Sequence, residues 1–300
     1  MKNNPSRCGY VAIVGRPNVG KSTLLNALIG EKVSIVSSKP HTTRHRILGV
    51  LNRGPDQAVF IDTPGLQRDR KRALHRLMAR AINQALEDSD IIVMVTEVPG
   101  LKRENRDLTQ LLRDRTQKTI LVLNKIDTVG AKTKLLPMLQ SMSAEFPCAA
   151  FMPVSARTGE NLGVLVTEIF KRLPEGPALF PREMLTDRGL HFRVAEIVRE
   201  KLLAALHKEV PYGLTVEVEY LGRDEEDRLL VHALVWLDRE SHKAIVIGKG
   251  GRVLKSVGQA ARMDLNELLK DRVHLELWVK VREHWSDSER ELKRLGFDLP

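Results

Sequence analysis

The stretch that decides the fold is Gly15-Arg16-Pro17-Asn18-Val19-Gly20-Lys21-Ser22, a Gly-x-x-x-x-Gly-Lys-Ser loop that continues into Thr23. An apolar run at 10–14 precedes the loop, and a helical pattern at 21–29 follows it. This context predicts a phosphate-binding loop, because glycines let backbone N–H groups turn inward and the helix start adds positive potential. Lys21 should contact the β- and γ-phosphates of a nucleoside triphosphate, and the Ser22 hydroxyl should bind Mg²⁺.

The pattern of apolar residues predicts two domains. Short apolar runs alternate with amphipathic helical patterns through residue 172, which is typical of an α/β domain with a mostly parallel sheet. Three prolines and a glycine at 173–181 predict a stiff linker. Beyond it, the order helix, strand, strand, helix, helix, strand predicts an α+β domain. We therefore assign 1–173 to a nucleotide-binding domain, 174–182 to the linker and 183–300 to the second domain.

The charge of the chain is unevenly distributed. Residues 1–181 hold 27 Lys and Arg against 16 Asp and Glu, whereas residues 182–300 hold 21 against 22. The excess in the first part leaves contact with a membrane surface open, since peripheral contact needs no spanning segment. Two cysteines without metal-binding spacing, and no signal-peptide pattern, favour a cytoplasmic protein with free thiols. We expect a monomer.

Asp62-Thr63-Pro64-Gly65 ends a strand-like run. Ligands of parallel sheets collect at the carboxyl ends of strands, so this position suits a nucleotide site. The Asp62 carboxylate should bind Mg²⁺, through water, and the Gly65 N–H should face the γ-phosphate.

Asn124-Lys125-Ile126-Asp127 and Ser155-Ala156 predict the choice of base. An aspartate can accept from both N1–H and the exocyclic amine of guanine, which adenine does not offer. The Ala156 N–H can face the guanine carbonyl. Such polar pairing can reject the wrong base by roughly 10⁴-fold, so we expect a GTP site.

A second glycine loop, Gly248-Lys249-Gly250-Gly251, lies between two helical segments. The Gly-x-x-Gly form clamps single-stranded nucleic-acid backbones. Five basic residues and no acidic ones occur between 241 and 262. We expect Ile245 and Ile247 to belong to the adjoining core and groove floor. The predicted RNA-binding residues are Ile247, Gly248, Lys249, Gly250, Gly251, Arg252 and Lys255.

With His41-Thr42-Thr43-Arg44-His45, the ordered nucleotide motifs resemble the bacterial Era family of GTPases, and the second glycine loop resembles a type II KH domain. The resemblance includes Glu209-Val210-Pro211-Tyr212 and Leu277-Trp278-Val279-Lys280-Val281. It implies that Thr43, with Thr42 as the alternative, binds Mg²⁺ as the switch I threonine. It also implies binding near the 3′ end of 16S ribosomal RNA and a role in maturation of the small (30S) subunit.

Leu66 stands where Ras-like GTPases place a water-orienting glutamine. The resemblance implies a group of GTPases in which K⁺ supplies charge near the phosphates, held here by Asn18. Catalysis would rest on Lys21, Thr43, Gly65 and Mg²⁺, with intrinsic hydrolysis near ~10⁻⁴ s⁻¹. The alternatives are an RNA-binding scaffold that only holds guanine nucleotide and the GTPase part of an RNA-modifying enzyme. The full predicted GTP site is residues 15–23, 62–66, 124–127 and 155–156, including Thr23, Thr63, Pro64, Leu66, Lys125 and Ile126.

Overall fold

The computed structural model describes residues 6–66, 72–101 and 105–297. These residues form two compact units that are both discontinuous in sequence. The first unit contains residues 6–34, 43–66, 78–101 and 105–187, and the second contains residues 35–42, 72–77 and 188–297. The units therefore differ from the predicted domains, because two short segments of the first predicted domain belong to the second unit.

The first unit alternates strands and helices along the chain. Its strands are β1 (Cys8–Gly15), β2 (Ile47–Arg53), β3 (Asp56–Asp62), β4 (Ile91–Glu97), β5 (Thr119–Asn124) and β6 (Ala150–Pro153). Its helices are α1 (Lys21–Ile29), α2 (Ala73–Asp88), α3 (Arg106–Leu111), α4 (Leu135–Glu145) and α5 (Leu162–Arg172). The beginning of α2, through residue 77, belongs to the second unit.

The six strands form one sheet in the order β2-β3-β1-β4-β5-β6. Only β2 runs antiparallel to its neighbour, and it forms a hairpin with β3. Apolar side chains from both faces of the sheet are buried in two separate clusters, one containing Ile13 and Val93 and the other Val14 and Met94. Because both faces are covered, the central strands are apolar without alternation. Loops that carry the predicted nucleotide motifs leave the carboxyl ends of β1, β3 and β5.

The predicted linker is fixed to the first unit. The N–H of Cys8 donates to the carbonyl of Pro174 at 3.0 Å. The buried side chain of Gln57 accepts from the N–H groups of Leu179 and Phe180 at 2.9 and 3.0 Å. These long-range hydrogen bonds hold residues that three prolines already stiffen, so the first unit extends to residue 187.

The main part of the second unit has the predicted element order. It contains α6 (Leu190–Ala205), β7 (Leu214–Arg223), β8 (Leu229–Leu237), α7 (Lys243–Ile247), α8 (Arg252–Leu269), β9 (Val273–Val281) and α9 (Glu289–Arg294). Strand β8 lies between β7, which is antiparallel to it, and β9, which is parallel. One apolar cluster, which includes Val198, Val235 and Leu265, joins helices α6 and α8 to this sheet. The predicted fold class is confirmed.

Candidate functional site

The phosphate loop joins β1 to α1 and is curled around its own lysine. The ammonium of Lys21 donates to the carbonyls of Gly15 and Arg16 at 3.2 and 2.9 Å. Gly20 has φ 96°, and a Cβ there would lie 2.4 Å from Nδ2 of Asn124. Glycine is therefore required at this position both by the backbone and by the space available. The loop has the form that the sequence predicts for a phosphate cradle.

Lys21 and Asp62 are the charged groups buried at the base of this loop. Burial lowers the pKa of Lys21 to about 8, and the nearby carboxylate of Asp62 opposes this change. Burial also raises the pKa of Asp62, and the Lys21 ammonium opposes that shift. A bound phosphate would supply the negative charge that stabilises the ammonium form of Lys21.

The predicted metal ligands lie together. Oδ2 of Asp62 accepts from the Ser22 hydroxyl at 2.7 Å, and the Ser22 and Thr43 hydroxyl oxygens are 2.8 Å apart. The Thr42 hydroxyl donates instead to the Lys39 carbonyl, so the structure places Thr43 at this network. A third hydroxyl, that of Ser34, also donates to Oδ2 of Asp62, at 2.9 Å. Nothing in the sequence pattern identifies Ser34, because its contact with Asp62 spans 28 positions.

These residues fit Mg²⁺, which prefers oxygen ligands and retains several of its waters. Oδ1 of Asp62 is buried and has no hydrogen-bond partner among the described residues. A buried carboxylate oxygen without a partner is costly unless a cation or its water contacts it. Ser22, Thr43 and Asp62 would hold the ion, which would neutralise charge on the phosphates.

Leu66 has neither the side-chain chemistry nor the surroundings of a residue that orients the attacking water. Its N–H donates to the Gly15 carbonyl at 3.3 Å, which fixes the loop after Gly65 beside the phosphate loop. Its side chain packs against the second apolar cluster of the first unit. Thr63, also predicted to bind GTP, is buried and donates its hydroxyl to the Ile13 carbonyl at 2.8 Å. Both residues hold the loop in place.

Asn124 connects the phosphate loop with the predicted base-binding loops. Its Nδ2 donates to the Val19 carbonyl at 2.9 Å, and its Oδ1 accepts from the Ala156 N–H at 3.0 Å. Its side chain is buried. Asn124 therefore positions the two loops. The Ala156 N–H, which the sequence predicts to face the guanine carbonyl, donates to Asn124 in this structure.

Asp127 has both carboxylate oxygens partnered. The Ser155 hydroxyl donates to Oδ1 at 2.6 Å, and Nη2 of Arg157 lies 2.6 Å from Oδ2. The hydrogen bond from Ser155, assisted by the Arg157 charge, lowers the pKa of Asp127. The carboxylate is therefore held ionised, as acceptance of two guanine protons requires. Sequence reasoning assigned no role to Arg157, although it directly follows Ser155-Ala156.

Lys125 links Asn18 to this region. Its ammonium donates to the Asn18 carbonyl at 2.7 Å and also pairs with the Glu97 carboxylate. Asn18 has φ 65°, and Lys125 has φ 64°. Lys125, which the sequence predicts to bind GTP, thus supports the phosphate loop through the Asn18 carbonyl.

The second glycine loop has the backbone conformation that its sequence predicts. Gly248, Gly250 and Gly251 have φ values of 74°, 62° and 76°. A Cβ on Gly248 would lie 2.5 Å from Cγ2 of Val253. The loop separates α7 from α8 and leaves its backbone open to a phosphate chain.

A groove of about 440 Å³ lies along α8 and β9, starting at this loop. It is lined by Gly251, Leu254, Lys255, Gly258, Gln259, Arg262, Leu275 and Leu277. Gly251 and Lys255 are predicted RNA-binding residues, and Arg262 belongs to the basic cluster at 241–262; the other lining residues were not predicted. The predicted core position of Ile245 is wrong, because half of this residue is exposed. Ile247 is partly buried and does not line the groove, whose floor comes from α8 and β9.

No helix in the described part of the chain is long and apolar enough to cross a bilayer.

Comparison with known proteins agrees with this geometry. Residues 10–125 match the family described as 50S ribosome-binding GTPase, and residues 209–286 match the KH domain. The GTPase Era of Yersinia enterocolitica is 43% identical over 290 residues, covering 97% of this chain and 96% of that protein. The GTPase Era of Yersinia pestis is 44% identical over the same length.

Two solved structures resemble nearly the whole chain. One is an Aquifex aeolicus Era variant bound to GDP and AlF₄⁻, and the other is Era in complex with MgGDPNP and nucleotides 1506–1542 of 16S ribosomal RNA. Each has a TM-score of 0.94 and 39% identity, covering 98% of this chain and 100% of the other.

The fold and site define a P-loop GTPase that carries an RNA-binding KH domain. The chain belongs to the Era family. It is a GTPase, which sets aside the alternative of a scaffold that only holds nucleotide. Mg²⁺ and a guanine nucleotide are the ligands that its first glycine loop and neighbouring motifs fit.

Proposed function

We propose that this chain is a GTP-driven switch that binds 16S ribosomal RNA near its 3′ end and assists assembly of the small ribosomal subunit. The observation that carries this proposal is the groove beside Gly248–Gly251, where Lys255 and Arg262 accompany an apolar floor. The RNA in the related Era complex, nucleotides 1506–1542, supports the choice of RNA. GTP would order Thr43 and Gly65 around the γ-phosphate, and hydrolysis would release them.

RNA binding can be tested with the 37-nucleotide segment of that complex and a scrambled RNA of equal length. Replacing Lys249 and Gly250 together by Asp should abolish specific binding. Lys208→Asp, at an exposed position outside the groove, is the matched control. If five basic residues between 241 and 262 contact phosphates, the salt slope of log K should be roughly −3.5. Salt-independent binding, or no loss in the double variant, would contradict the proposed RNA site.

The role in subunit assembly needs a separate experiment in cells. Depletion of the protein should cause small-subunit precursors with unprocessed 16S ribosomal RNA to accumulate, as seen in sucrose gradients. Wild-type protein should reverse this defect, whereas Lys21→Met should not. Normal subunit profiles after full depletion would contradict the assembly role while leaving GTP hydrolysis and RNA binding intact.

We also propose that K⁺ assists hydrolysis near Asn18. The support is chemical: Leu66 offers no group to orient water, and the Asn18 backbone is fixed through Lys125. Phosphate release at equal ionic strength should be faster in KCl than in NaCl. The difference should disappear in Asn18→Ala. Equal rates in both salts would exclude the cation part of the proposal.

For location, we propose a cytoplasmic monomer with peripheral contact at the membrane's inner face. The net charge of +11 over residues 1–181 supports such contact, because basic surfaces are attracted to anionic lipids. The protein should co-sediment with phosphatidylglycerol vesicles at low salt and should be released at 0.5 M NaCl, roughly three times the physiological ionic strength. Protein that stays in the supernatant at low salt would contradict the proposed membrane contact.

A further inference from the structure

Ser34 is a buried serine whose backbone is fixed to the helix that follows the phosphate loop. The side chain of Asn26, on α1, accepts from the Ser34 N–H at 2.9 Å and donates to the Ser34 carbonyl at 2.7 Å. The same Oδ1 accepts from the Val33 N–H at 3.0 Å. Ser34 itself is 2% exposed. Contacts within the protein therefore fix the position of its hydroxyl, with no bound ligand needed.

Asp62 receives three hydroxyl donors on one oxygen, and they are not equivalent. Ser22 and Thr43 are the proposed Mg²⁺ ligands, so their oxygens must turn a lone pair toward the ion and take positions that depend on it. The Thr43 contact to Oδ2 is already long, at 3.5 Å. Ser34 donates at 2.9 Å and has no proposed role as a ligand. It is the donor that can hold Asp62 in the same way before and after the metal binds.

We propose that Ser34 is a positioning residue for the metal site: it holds Oδ2 of Asp62 so that the buried, unpartnered Oδ1 remains available to Mg²⁺ or its water. The inference rests on the proposed Mg²⁺–nucleotide site. Residues that orient metal ligands by hydrogen bonds commonly change metal affinity by 10–100-fold when they are lost. The effect of Ser34 should accordingly appear in the dependence on Mg²⁺ concentration, while nucleotide affinity without metal stays the same.

The test measures binding and release of a fluorescent GDP analogue over a series of Mg²⁺ concentrations, so it does not depend on hydrolysis. In Ser34→Ala, the Mg²⁺ concentration that half-maximally slows GDP release should rise about tenfold. GDP affinity in EDTA should stay within about twofold. The matched control is Ser89→Ala, which also removes a buried serine hydroxyl from the first unit, one that donates to the Leu86 carbonyl.

Ser34→Cys covers the case in which the alanine variant does not fold, because a thiol keeps most of the volume but donates weakly. It should shift the Mg²⁺ dependence in the same direction. A folded Ser34 variant with wild-type Mg²⁺ dependence would overturn the role of Ser34. Wild-type protein whose GDP release ignores Mg²⁺ would instead contradict the proposed metal site, so the two failures are distinguishable.

Discussion

Arg157 forms an ion pair with Asp127: its Nη2 lies 2.6 Å from Oδ2 of the carboxylate that is proposed to bind guanine. The two residues differ in exposure, since the Arg157 side chain is 76% exposed and that of Asp127 is 11% exposed. Solvent can therefore replace the guanidinium easily, while the carboxylate stays where Ser155 holds it. Arg157 thus covers the carboxylate of Asp127, the proposed base-binding group, and an incoming guanine can displace it.

Loss of Arg157 should tighten guanine nucleotide binding slightly. Exposed ion pairs contribute at most about 1 kcal/mol, so Arg157→Ala should lower the Kd for GDP by up to about fivefold at low salt. The difference from wild type should shrink at 0.5 M NaCl, because salt screening already weakens the competing ion pair at about five times the ionic strength that gives a 10 Å Debye length. Titration with a fluorescent GDP analogue measures both. Weaker binding in the variant would show that Arg157 contacts the nucleotide favourably.

Asp127→Asn should change which base is bound. An amide offers one acceptor and one donor face, so it cannot accept from both N1–H and the amine of guanine. Guanine affinity should fall, approaching the roughly 10⁴-fold limit for such polar recognition. Xanthine, which has a carbonyl in place of the amine, should become the better ligand. Competition between GDP and XDP measures the change, and an unchanged preference for GDP would remove Asp127 from base recognition.

Nucleotide affinity should decrease with rising pH because of Lys21. Its pKa in the free protein is about 8, and bound phosphates favour the ammonium form, so binding takes up a proton above that pH. The Kd for GTP should be constant below pH 7 and rise up to about tenfold per pH unit above 8. Lys21→Met is the control, because it removes the lysine ammonium while the guanine base of the nucleotide still titrates. Identical pH profiles for both proteins would contradict the assignment to Lys21.

Gly258 leaves the proposed RNA groove open in the middle of α8. A Cβ there would make only an ordinary contact, 3.5 Å from Cδ1 of Leu277. Gly258→Leu should therefore fold, gain up to about 1 kcal/mol of helix propensity, and weaken RNA binding roughly tenfold by filling the groove. Met263→Leu, on the same helix at a 69% exposed position, should change neither property. Filter binding measures RNA affinity, and thermal unfolding measures stability. Wild-type RNA affinity in Gly258→Leu would contradict RNA binding in this groove.

Arg199 should be important for the stability of the second unit. It is 1% exposed, pairs with both oxygens of Glu196 at 2.6 and 2.7 Å, and donates to the Thr42 carbonyl. Arg199→Met leaves a carboxylate buried without its partner and should cost about 3–5 kcal/mol. Adding Glu196→Leu should restore most of this stability.

Tryptophan fluorescence during urea unfolding reports on this unit, because Trp236, Trp278 and Trp285 are the tryptophans of the chain. A loss below about 1 kcal/mol in the single variant would mean that water reaches the Glu196 carboxylate.

Sequence reasoning found the parts of the site that are contiguous. The loop Gly15–Ser22 and the loop Gly248–Gly251 carry their requirements locally, because positive φ and close backbone approach demand glycine within a few positions. The roles of Ser34 and Arg157 were not predicted, because they depend on Asp62 and Asp127, which lie 28 and 30 positions away. A serine or an arginine at such a separation has no periodicity that reveals its partner. The groove floor was misassigned for the same reason, since β9 reaches α8 only through the tertiary fold.

The discontinuous composition of the two units limits how the protein can be dissected. Residues 35–42 and 72–77 are N-terminal to the 187/188 boundary but belong to the second unit. No single peptide-bond cleavage therefore yields two fragments that each contain one whole unit. A fragment that starts at residue 188 lacks the Thr42 carbonyl that Arg199 binds and the Val36 N–H that donates to Glu200 at 2.9 Å. Fragments cut at this boundary should fold better when mixed than apart, as complementing halves of one protein.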